Sequence, residues 1–210
     1  MTQMQKKYAI VIDPLNCIDC KACLIACKVE NQVPESFWRN WIKENNTGEE
    51  LRTQYQPGQC MQCDDPSCVA ACPVDATYKG ENGLVEINLD KCIGCGNCVT
   101  ACPYDARYRN STTKKVDKCD FCNHRLEVGE IPACVETCPT KTRVFGDLND
   151  PESAVSKLLK SKEYMRIVNP LVNTLPNIYY RNGTDSVHWP KVPTLPGEIH
   201  MSPKFWKTNT

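Results

Sequence analysis

Sixteen of the 210 residues are cysteines, and they form four quartets that repeat one spacing along the chain. The third quartet reads C-x2-C-x2-C-x3-C-P, and the first has the same three intervals. The second and fourth quartets lengthen the middle interval to four and eleven residues and keep the final interval of three. This spacing is typical of [4Fe-4S] ligation, in which the fourth thiolate of a run binds the other cluster of a pair. The candidate ligands are Cys17, Cys20, Cys23 and Cys27, then Cys60, Cys63, Cys68 and Cys72, then Cys92, Cys95, Cys98 and Cys102, and finally Cys119, Cys122, Cys134 and Cys138.

Local geometry explains why this spacing suits a cluster. Three thiols two residues apart lie on one tight loop, and Gly94 and Gly96 let that backbone approach inorganic sulfur without a Cβ in the way. Cys98 and Cys102 are four residues apart, so on a helical turn they share a face, with Cys102 one turn further along. We therefore expect the last cysteine of a quartet to lie out of reach of the cluster that the first three hold.

Two other uses of cysteine fit the pattern poorly. Disulfides are disfavoured because three cysteines within seven residues would have to bond across loops too short for the bridge geometry. Structural zinc sites usually take two separated pairs of ligands, without a third cysteine two residues after the second. The three histidines, His124, His188 and His200, are not spaced as paired metal ligands, and no catalytic or nucleotide-binding motif stands out. Substrate chemistry is therefore expected on another subunit.

The charge balance disfavours nucleic acid as a partner. Basic and acidic residues each number 25, so the formal net charge is zero and no polybasic surface is indicated. Sixteen thiolates on four cluster cores of charge +2 would bring the loaded chain to about −8. Four basic residues close to cysteines in sequence are candidates for raising cluster potentials, namely Lys21, Lys28, Arg107 and Lys118.

The stretches next to the quartets indicate secondary structure. Tyr8–Ile12 is a short β-type run before the first quartet, and residues 84–92 repeat this order of strand and cysteine. The five-residue run is too short for a signal sequence or a membrane-spanning helix, so no direct membrane span is expected. After the fourth quartet, Asp150 is a candidate N-cap, with Pro151 as the first residue of a helix.

Two segments lie outside the quartets. Residues 32–59 are interpreted as an insertion that carries aromatic residues for a core or an interface. From Asn169 onward the chain is rich in proline and aromatic residues, too aromatic for plain disorder. We interpret this segment as an extended arm lying on a partner, with a short strand near residues 178–180. The aromatic residues of the insertion are Phe37, Trp38, Trp41 and Tyr55.

The segments around the quartets carry a resemblance to a known family. Residues 27–31 read Cys-Lys-Val-Glu-Asn, residues 102–108 read Cys-Pro-Tyr-Asp-Ala-Arg-Tyr, and residues 132–140 read Pro-Ala-Cys-Val-Glu-Thr-Cys-Pro-Thr. With the order of the quartets, these stretches resemble the iron-sulfur (beta) subunits of respiratory molybdopterin oxidoreductases. The likeness is strongest to the electron-transfer subunits of the polysulfide and dimethyl sulfoxide reductases, and it weakens after Pro151.

The resemblance implies an α+β fold of two ferredoxin-like bicluster units nested in sequence, with the aromatic insertion and an extended C-terminal arm. The outer unit would comprise residues 1–31 and 106–150, and the inner unit residues 60–105. The remaining segments are 32–59, the insertion, and 151–210, a helix followed by the partner-binding arm. Four [4Fe-4S] clusters are implied, held by Cys17, Cys20, Cys23 and Cys138; by Cys119, Cys122, Cys134 and Cys27; by Cys60, Cys63, Cys68 and Cys102; and by Cys92, Cys95, Cys98 and Cys72.

The resemblance also implies a function. The cluster of Cys17 would face a molybdopterin-containing catalytic subunit, and the cluster of Cys92 a membrane anchor with a quinone site. Electrons would pass along the four clusters between these partners, at the extracytoplasmic face of the membrane after co-export with the catalytic subunit. The alternatives are a soluble polyferredoxin-type carrier, or a cytoplasmic component of a hydrogenase or formate-lyase complex. The terminal substrate and the direction of electron flow do not follow from the sequence.

Overall fold

The computed structural model describes residues 6–45, 54–161, 163–168 and 172–181, and these ranges form a mixed α/β fold of small sheets. This agrees with the predicted α+β class. The strands are β1 (Tyr8–Ile12), β2 (Asn40–Asn45), β3 (Gln54–Gln59), β4 (Thr77–Lys79), β5 (Val85–Ile87), β6 (Arg107–Arg109), β7 (Val116–Lys118), β8 (Arg143–Asp147), β9 (Tyr164–Arg166) and β10 (Ile178–Arg181). The helices are α1 (Ala22–Glu30), α2 (Ser67–Ala70), α3 (Asn97–Thr100), α4 (Asn123–Glu127), α5 (Ala133–Glu136) and α6 (Ala154–Lys160).

The predicted first strand, β1, lies inside a four-stranded sheet with the order β8-β1-β10-β9. It runs antiparallel to β8, with Ile12 opposite Arg143, and parallel to β10, with Ile10 opposite Ile178. Because β1 precedes the first quartet and β8 follows the fourth, this sheet joins the two ends of the cysteine-bearing region.

Both faces of β1 are buried, which explains why its sequence is a continuous apolar run and not an alternating one. Ile10 and Ile12 belong to the main core of the molecule. Ala9 and Val11 point to the other face, where they pack with Val155 of α6. One short strand therefore supports both the cluster-bearing part of the chain and the C-terminal helix.

Three two-stranded antiparallel sheets complete the strand pairing among the described residues: β2 with β3, β4 with β5, and β6 with β7. Strand β4 follows the second quartet and β5 precedes the third, while β6 follows the third and β7 precedes the fourth. Helix α1 packs against α5, and α2 packs against α3. The first quartet thus meets the fourth, and the second meets the third.

The aromatic residues of 32–59 contribute to the core of this chain. Trp41 on β2 is 2% exposed, and Trp38 and Tyr55 pack against the same core. Phe37 stacks on Tyr108 of β6, with 4.6 Å between the ring centroids. The sequence alone did not distinguish a core role from an interface role, and the structure assigns the core role.

Helix α6 begins later than predicted. Asp150 does not cap it, because its Oδ1 accepts a hydrogen bond from the N–H of Glu152 in a local turn, at 2.9 Å. Ser153 is the N-cap, and its hydroxyl accepts a hydrogen bond from the N–H of Ser156 at 3.1 Å. The prediction that the helix starts at Pro151 is therefore wrong by three residues.

The strand predicted near residues 178–180 is confirmed as β10. It pairs with β1 and β9 of the same chain, and the hydroxyl of its buried Tyr180 donates a hydrogen bond to the carbonyl oxygen of Pro57 at 2.9 Å. Residues 172–181 therefore belong to the chain's own fold. The expected partner-bound arm then concerns residues 182–210, which lie outside the described residues. No described helix has the length and apolar character needed to cross a bilayer.

Candidate iron-sulfur cluster sites

Each quartet begins with a loop that contains the same unusual backbone conformation. The residue just before the second cysteine has a positive φ in all four loops: 54° at Asp19, 47° at Gln62, 67° at Gly94 and 59° at Phe121. Left-handed residues turn a loop so that successive N–H groups point to one side, and such concave surfaces suit anionic groups, iron-sulfur clusters included. The four loops are therefore copies of one binding motif, although only the third has glycine at this position.

Gly94 is required by a neighbour in the protein itself. A Cβ at this position would overlap the carbonyl oxygen of Lys114, and the residue also has a positive φ. Gly96 has a φ of 85°, but a Cβ there would meet open space. The expectation that both glycines make room for inorganic sulfur is thus corrected at Gly94, where the backbone of Lys114 sets the limit.

An enclosed cavity lies where α1 packs against α5, and cysteines from two quartets line it. Cys27 is the last member of the first quartet, and the other three cysteines of the cavity are the first three members of the fourth. Asn31 contributes its side-chain amide, with Nδ2 3.7 Å from Sγ of Cys27 and 3.6 Å from Sγ of Cys122. The cysteines that line the cavity are Cys27, Cys119, Cys122 and Cys134.

Burial favours the neutral form of these thiols. Loss of water contact, followed by repulsion from Cys134 and Cys122, raises the pKa of Cys27. Burial is also the largest cause that raises the pKa of Cys119, and it raises that of Cys134 to about 11. Because metal-bound cysteine is a thiolate, loading this cavity with a cluster would release protons.

Cysteines of the second and third quartets meet in a similar way. Burial raises the pKa of Cys102 to about 11, and repulsion from Cys60 and Cys68 adds to the increase. Burial also raises the pKa of Cys63, to about 12, with Cys60, Cys102 and Cys68 as further causes. The last cysteine of the third quartet therefore lies among the first three of the second.

The remaining two sets each include one exposed thiol. Cys72 packs in one group of apolar side chains with Cys92 and Cys98, while Cys95 is exposed. In the first quartet, Cys20 is exposed, and burial raises the pKa of Cys17 to about 11, with a further contribution from Cys23. Cys138 follows α5, the helix that packs against the helix of Cys23.

Cys138 and Cys72 differ from the buried thiols in the direction of their pKa. Burial alone would raise the pKa of Cys138, but hydrogen bonds from Thr140 and from the backbone N–H of Thr142 lower it. At Cys72 three backbone N–H groups likewise outweigh burial and lower the pKa, and the N–H of Ala76 lies 3.2 Å from its sulfur. Hydrogen bonds of this kind stabilise a thiolate and therefore suit a ligand of iron.

The arrangement of thiols fits a cluster with several irons. In the described part of the chain, no three cysteine, histidine, aspartate or glutamate side chains converge on a point that would hold a single metal ion. The four thiols of the α1–α5 cavity stand around a shared space. A [4Fe-4S] cluster takes one cysteine at each of its four irons, so this donor set is the one it requires.

Among the basic residues expected near the ligands, Arg107 contacts a thiol directly. Its Nη2 lies 3.0 Å from Sγ of Cys68, and the side chain is buried. His124, expected to be no ligand, has its Nε2 2.8 Å from Oε1 of Glu30. The lysines bind oxygen atoms of the protein: Lys21 pairs with Asp19, Lys28 binds the carbonyl oxygens of Pro34, Glu35 and Phe37, and Lys118 binds those of Val85 and Cys119.

Two residues of these sites were not predicted from the sequence. Arg143 is 2% exposed, and its charge acts on the thiols of Cys17, Cys23 and Cys134. Asn31, at the α1–α5 cavity, was also missed. A signal for Arg143 was present, because it follows the last cysteine of its quartet by five residues, as Arg107 does.

The two exposed cysteines mark two places where a cluster would approach the surface. Cys20 and Cys95 are the exposed members of the sixteen, and each is the second cysteine of its quartet. An isoleucine stands beside each: Ile18 and Ile93 are both 62% exposed. Large apolar side chains exposed next to a cofactor site indicate a surface on which another protein docks.

Comparison with known proteins agrees with this chemistry. Residues 51–148 match a family model described as a 4Fe-4S dicluster domain, and residues 16–76 match a second model of the same description. A polysulfide reductase chain from Wolinella succinogenes is 43% identical over 168 residues, which cover 78% of this chain and 88% of the relative. This chain therefore belongs to the iron-sulfur subunits of these reductases.

Other relatives in this family of iron-sulfur reductase subunits have different names. A tetrathionate reductase subunit from Salmonella typhimurium is 39% identical over 179 residues, covering 83% of this chain and 72% of the relative. A putative dimethyl sulfoxide reductase iron-sulfur subunit from Halobacterium salinarum is 38% identical over 208 residues, covering 84% and 79%. The general role of an iron-sulfur subunit, electron transfer within a reductase, is therefore shared among relatives with different substrates in their names.

Proposed function

We propose that the chain holds four [4Fe-4S] clusters and that every cluster takes ligands from two quartets. The observation that carries this proposal is the cavity in which Cys27 of the first quartet stands among the first three cysteines of the fourth. The position of Cys102 among Cys60, Cys63 and Cys68 supports the same exchange between the second and third quartets. The proposed sets are Cys17, Cys20, Cys23 and Cys138; Cys119, Cys122, Cys134 and Cys27; Cys60, Cys63, Cys68 and Cys102; and Cys92, Cys95, Cys98 and Cys72.

The exchange of ligands implies two nested bicluster units. The packing of α1 on α5 and of β1 on β8 supports an outer unit of residues 1–31 and 106–150. The packing of α2 on α3 and of β4 on β5 supports an inner unit of residues 60–105. The strand pair β6–β7 then links the end of the inner unit to the return of the outer one.

The protein would use these sites to carry electrons. Bound clusters supply one-electron redox chemistry, and the fold determines how far water reaches them. Buried thiols such as Cys60, Cys119 and Cys134 would keep the middle of the path dry. The exposed Cys20 and Cys95 would place its two ends near the surface.

We further propose a partner for each end. Because its relatives are named as single chains or subunits of reductases, this chain would bind a molybdopterin-containing catalytic subunit near Ile18 and a quinone-reacting membrane anchor near Ile93. Electrons would pass between quinol and the catalytic metal through the four clusters. The complex would stand on the extracytoplasmic face of the membrane, reached by co-export with the catalytic subunit.

Iron analysis and single substitutions at the two ends test this function. The anaerobically isolated chain is expected to contain 16 irons, one for each of its cysteines. Ile18→Asp should prevent co-purification with the catalytic subunit only, and Ile93→Asp should prevent co-purification with the anchor only. Val128→Asp is the matched control, because Val128 is 72% exposed and lies on neither cysteine loop. About eight irons per chain, or equal losses in all three variants, would contradict the proposal.

A further inference from the structure

The two buried arginines near the thiols occupy equivalent places in the fold. Arg107 follows Cys102 by five residues and is the first residue of β6. Arg143 follows Cys138 by five residues and is the first residue of β8. The third and fourth quartets therefore each end in a turn that returns one guanidinium group to the interior.

Arg107 is held by contacts on both sides of its guanidinium. Nη1 donates a hydrogen bond to Oγ1 of Thr77 at 3.2 Å, and Nη2 donates one to Sγ of Cys68 at 3.0 Å. Thr77 follows Cys72 by five residues, so it is the counterpart of Arg107 in the second quartet. The side chain is 1% exposed, and water therefore screens its charge little.

Arg143 has a similar setting with one donor left over. Nη1 donates a hydrogen bond to Oε1 of Gln59, while Nη2 is buried and has no hydrogen-bond partner among the described residues. The charge of this arginine acts on Cys23, Cys134 and Cys17. A buried guanidinium N–H that points to no protein acceptor is costly, and sulfur of a bound cluster would be a suitable acceptor.

Each arginine faces cysteines from both clusters of one pair. The charge of Arg143 acts on Cys17 and Cys23, which belong to one proposed outer set, and on Cys134, which belongs to the other. In the inner unit, the charge of Arg107 acts in the same way on two sets. Its neighbours are Cys60, Cys68 and Cys102 in one set and Cys98 in the other.

We infer that Arg107 and Arg143 are potential-setting residues, each shared by the two clusters of one bicluster unit, whose buried positive charge makes both clusters of that unit easier to reduce. The inference rests on the proposed ligand sets. Four thiolates around a core of charge +2 carry a net charge of about −2, and reduction adds one more negative charge. A fixed cation nearby stabilises the reduced form more than the oxidised form and so raises the reduction potential.

The experiment is a redox titration followed by electron paramagnetic resonance on the full chain, co-purified with its partner subunits. Arg143→Gln should shift the signals of the outer pair to lower potential and leave the inner pair unchanged, and Arg107→Gln should do the reverse. We expect at least a tenfold change in the ratio of oxidised to reduced cluster at a fixed potential, which is about 59 mV for a one-electron couple. Iron content should stay at the wild-type value.

Exposed basic residues on the same segments provide matched controls. Lys141→Gln removes a charge two residues before Arg143, and Arg109→Gln removes one two residues after Arg107. Both positions are exposed, so solvent should screen their charge and the potentials should change far less. Equal shifts in control and buried variants would overturn the inference, because net charge would then be the cause.

The conservative variants decide the case if a glutamine variant does not assemble. Arg143→Lys and Arg107→Lys keep the charge but lose the planar group of donors, so their potentials should lie between those of the wild type and the glutamine variants. Unchanged potentials in iron-loaded lysine variants would contradict the inference. Loss of iron from the lysine variants at both positions would also overturn it, since the arginines would then be structural. Wild-type protein with fewer than 16 irons would instead refute the proposed ligand sets.

Discussion

At the scale of single residues, Cys27 gives the most direct test of ligand exchange between quartets. Cys27→Ala should change the same component of the redox-poised electron paramagnetic resonance spectrum as Cys119→Ala, because both line the α1–α5 cavity. Packing loss alone should cost only about 1 to 3 kcal/mol, so the fold should survive.

The control pair for this prediction is Cys17→Ala and Cys138→Ala, which should alter a different component together. If Cys27→Ala instead groups with Cys17→Ala, each quartet binds its own cluster, and the nested arrangement is wrong.

Gly94 and Gly96 form a second matched pair, two residues apart on one loop. Gly96→Ala should cost about 1 kcal/mol, because its positive φ is unfavourable for alanine although space is open. Gly94→Ala should cost clearly more, because its Cβ would also overlap the carbonyl oxygen of Lys114. The midpoint of thermal loss of visible cluster absorbance measures both. Equal midpoints for the two variants would show that the contact with Lys114 can relax.

Single residues also show how far the sequence reveals the site. The cysteines were evident because their spacing is set by the cluster, and Arg107 was noticed because it lies near them in sequence. Asn31 and Arg143 act on sulfur atoms of quartets other than their nearest one, so chain proximity did not reveal all of their neighbours. Which loops need a left-handed residue was also hidden, because three of the four use Asp19, Gln62 and Phe121 in place of glycine.

At the scale of elements, β10 should be necessary for the fold and residues 182–210 should not. A chain ending at Arg181 keeps the pairing with β1 and the buried side chains of Ile178 and Tyr180. A chain ending at Val168 loses them, which removes roughly 3 to 6 kcal/mol of apolar burial and opens one edge of β1.

Expression of both truncated chains measures this difference. The longer one should stay in solution with its full iron content, and the shorter one should aggregate. If both behave as the intact chain does, β10 contributes little, and its pairing with β1 is not a determinant of the fold.

Elements differ in how readily the sequence predicts them. Strand β1 was predicted at its observed bounds, because a five-residue apolar run between polar neighbours is a local signal. The start of α6 was missed because Asp150 has the chemistry of an N-cap but uses its carboxylate for a turn at Glu152. The location of β10 was predicted but its partners were not, since pairing with Ile10 connects residues far apart in sequence.

At the scale of the whole molecule, burial of many thiols makes the stability of the cluster-free chain depend on pH. The pKa values of Cys17 and Cys102 are raised by burial to about 11, and that of Cys63 to about 12. A raised pKa stabilises the fold fully below the pKa of the unfolded thiol, near 8.5, and this stabilisation is lost as pH rises through the folded value.

The chain stripped of iron by a chelator should therefore lose roughly 3 kcal/mol or more of unfolding free energy between about pH 9 and pH 11. The iron-loaded chain should lose less, because its thiolates are already bound. Denaturant unfolding at a series of pH values measures this, and Cys63→Ser in the stripped chain should reduce the slope. A stripped chain whose stability rises over this range would contradict the pH argument.

The position of β1 between β8 and β10 has a consequence for biosynthesis. β1 is the first strand to leave the ribosome, yet its two neighbours are made only when residues 143–147 and 178–181 have been translated. Until then both edges of a wholly apolar strand are unpaired, a state that favours association with other chains or with a chaperone. Residues 60–109 carry their own strand pair, β4–β5, and can mature while translation continues. Iron insertion should consequently proceed from the interior of the gene product outward, with the first quartet completed last.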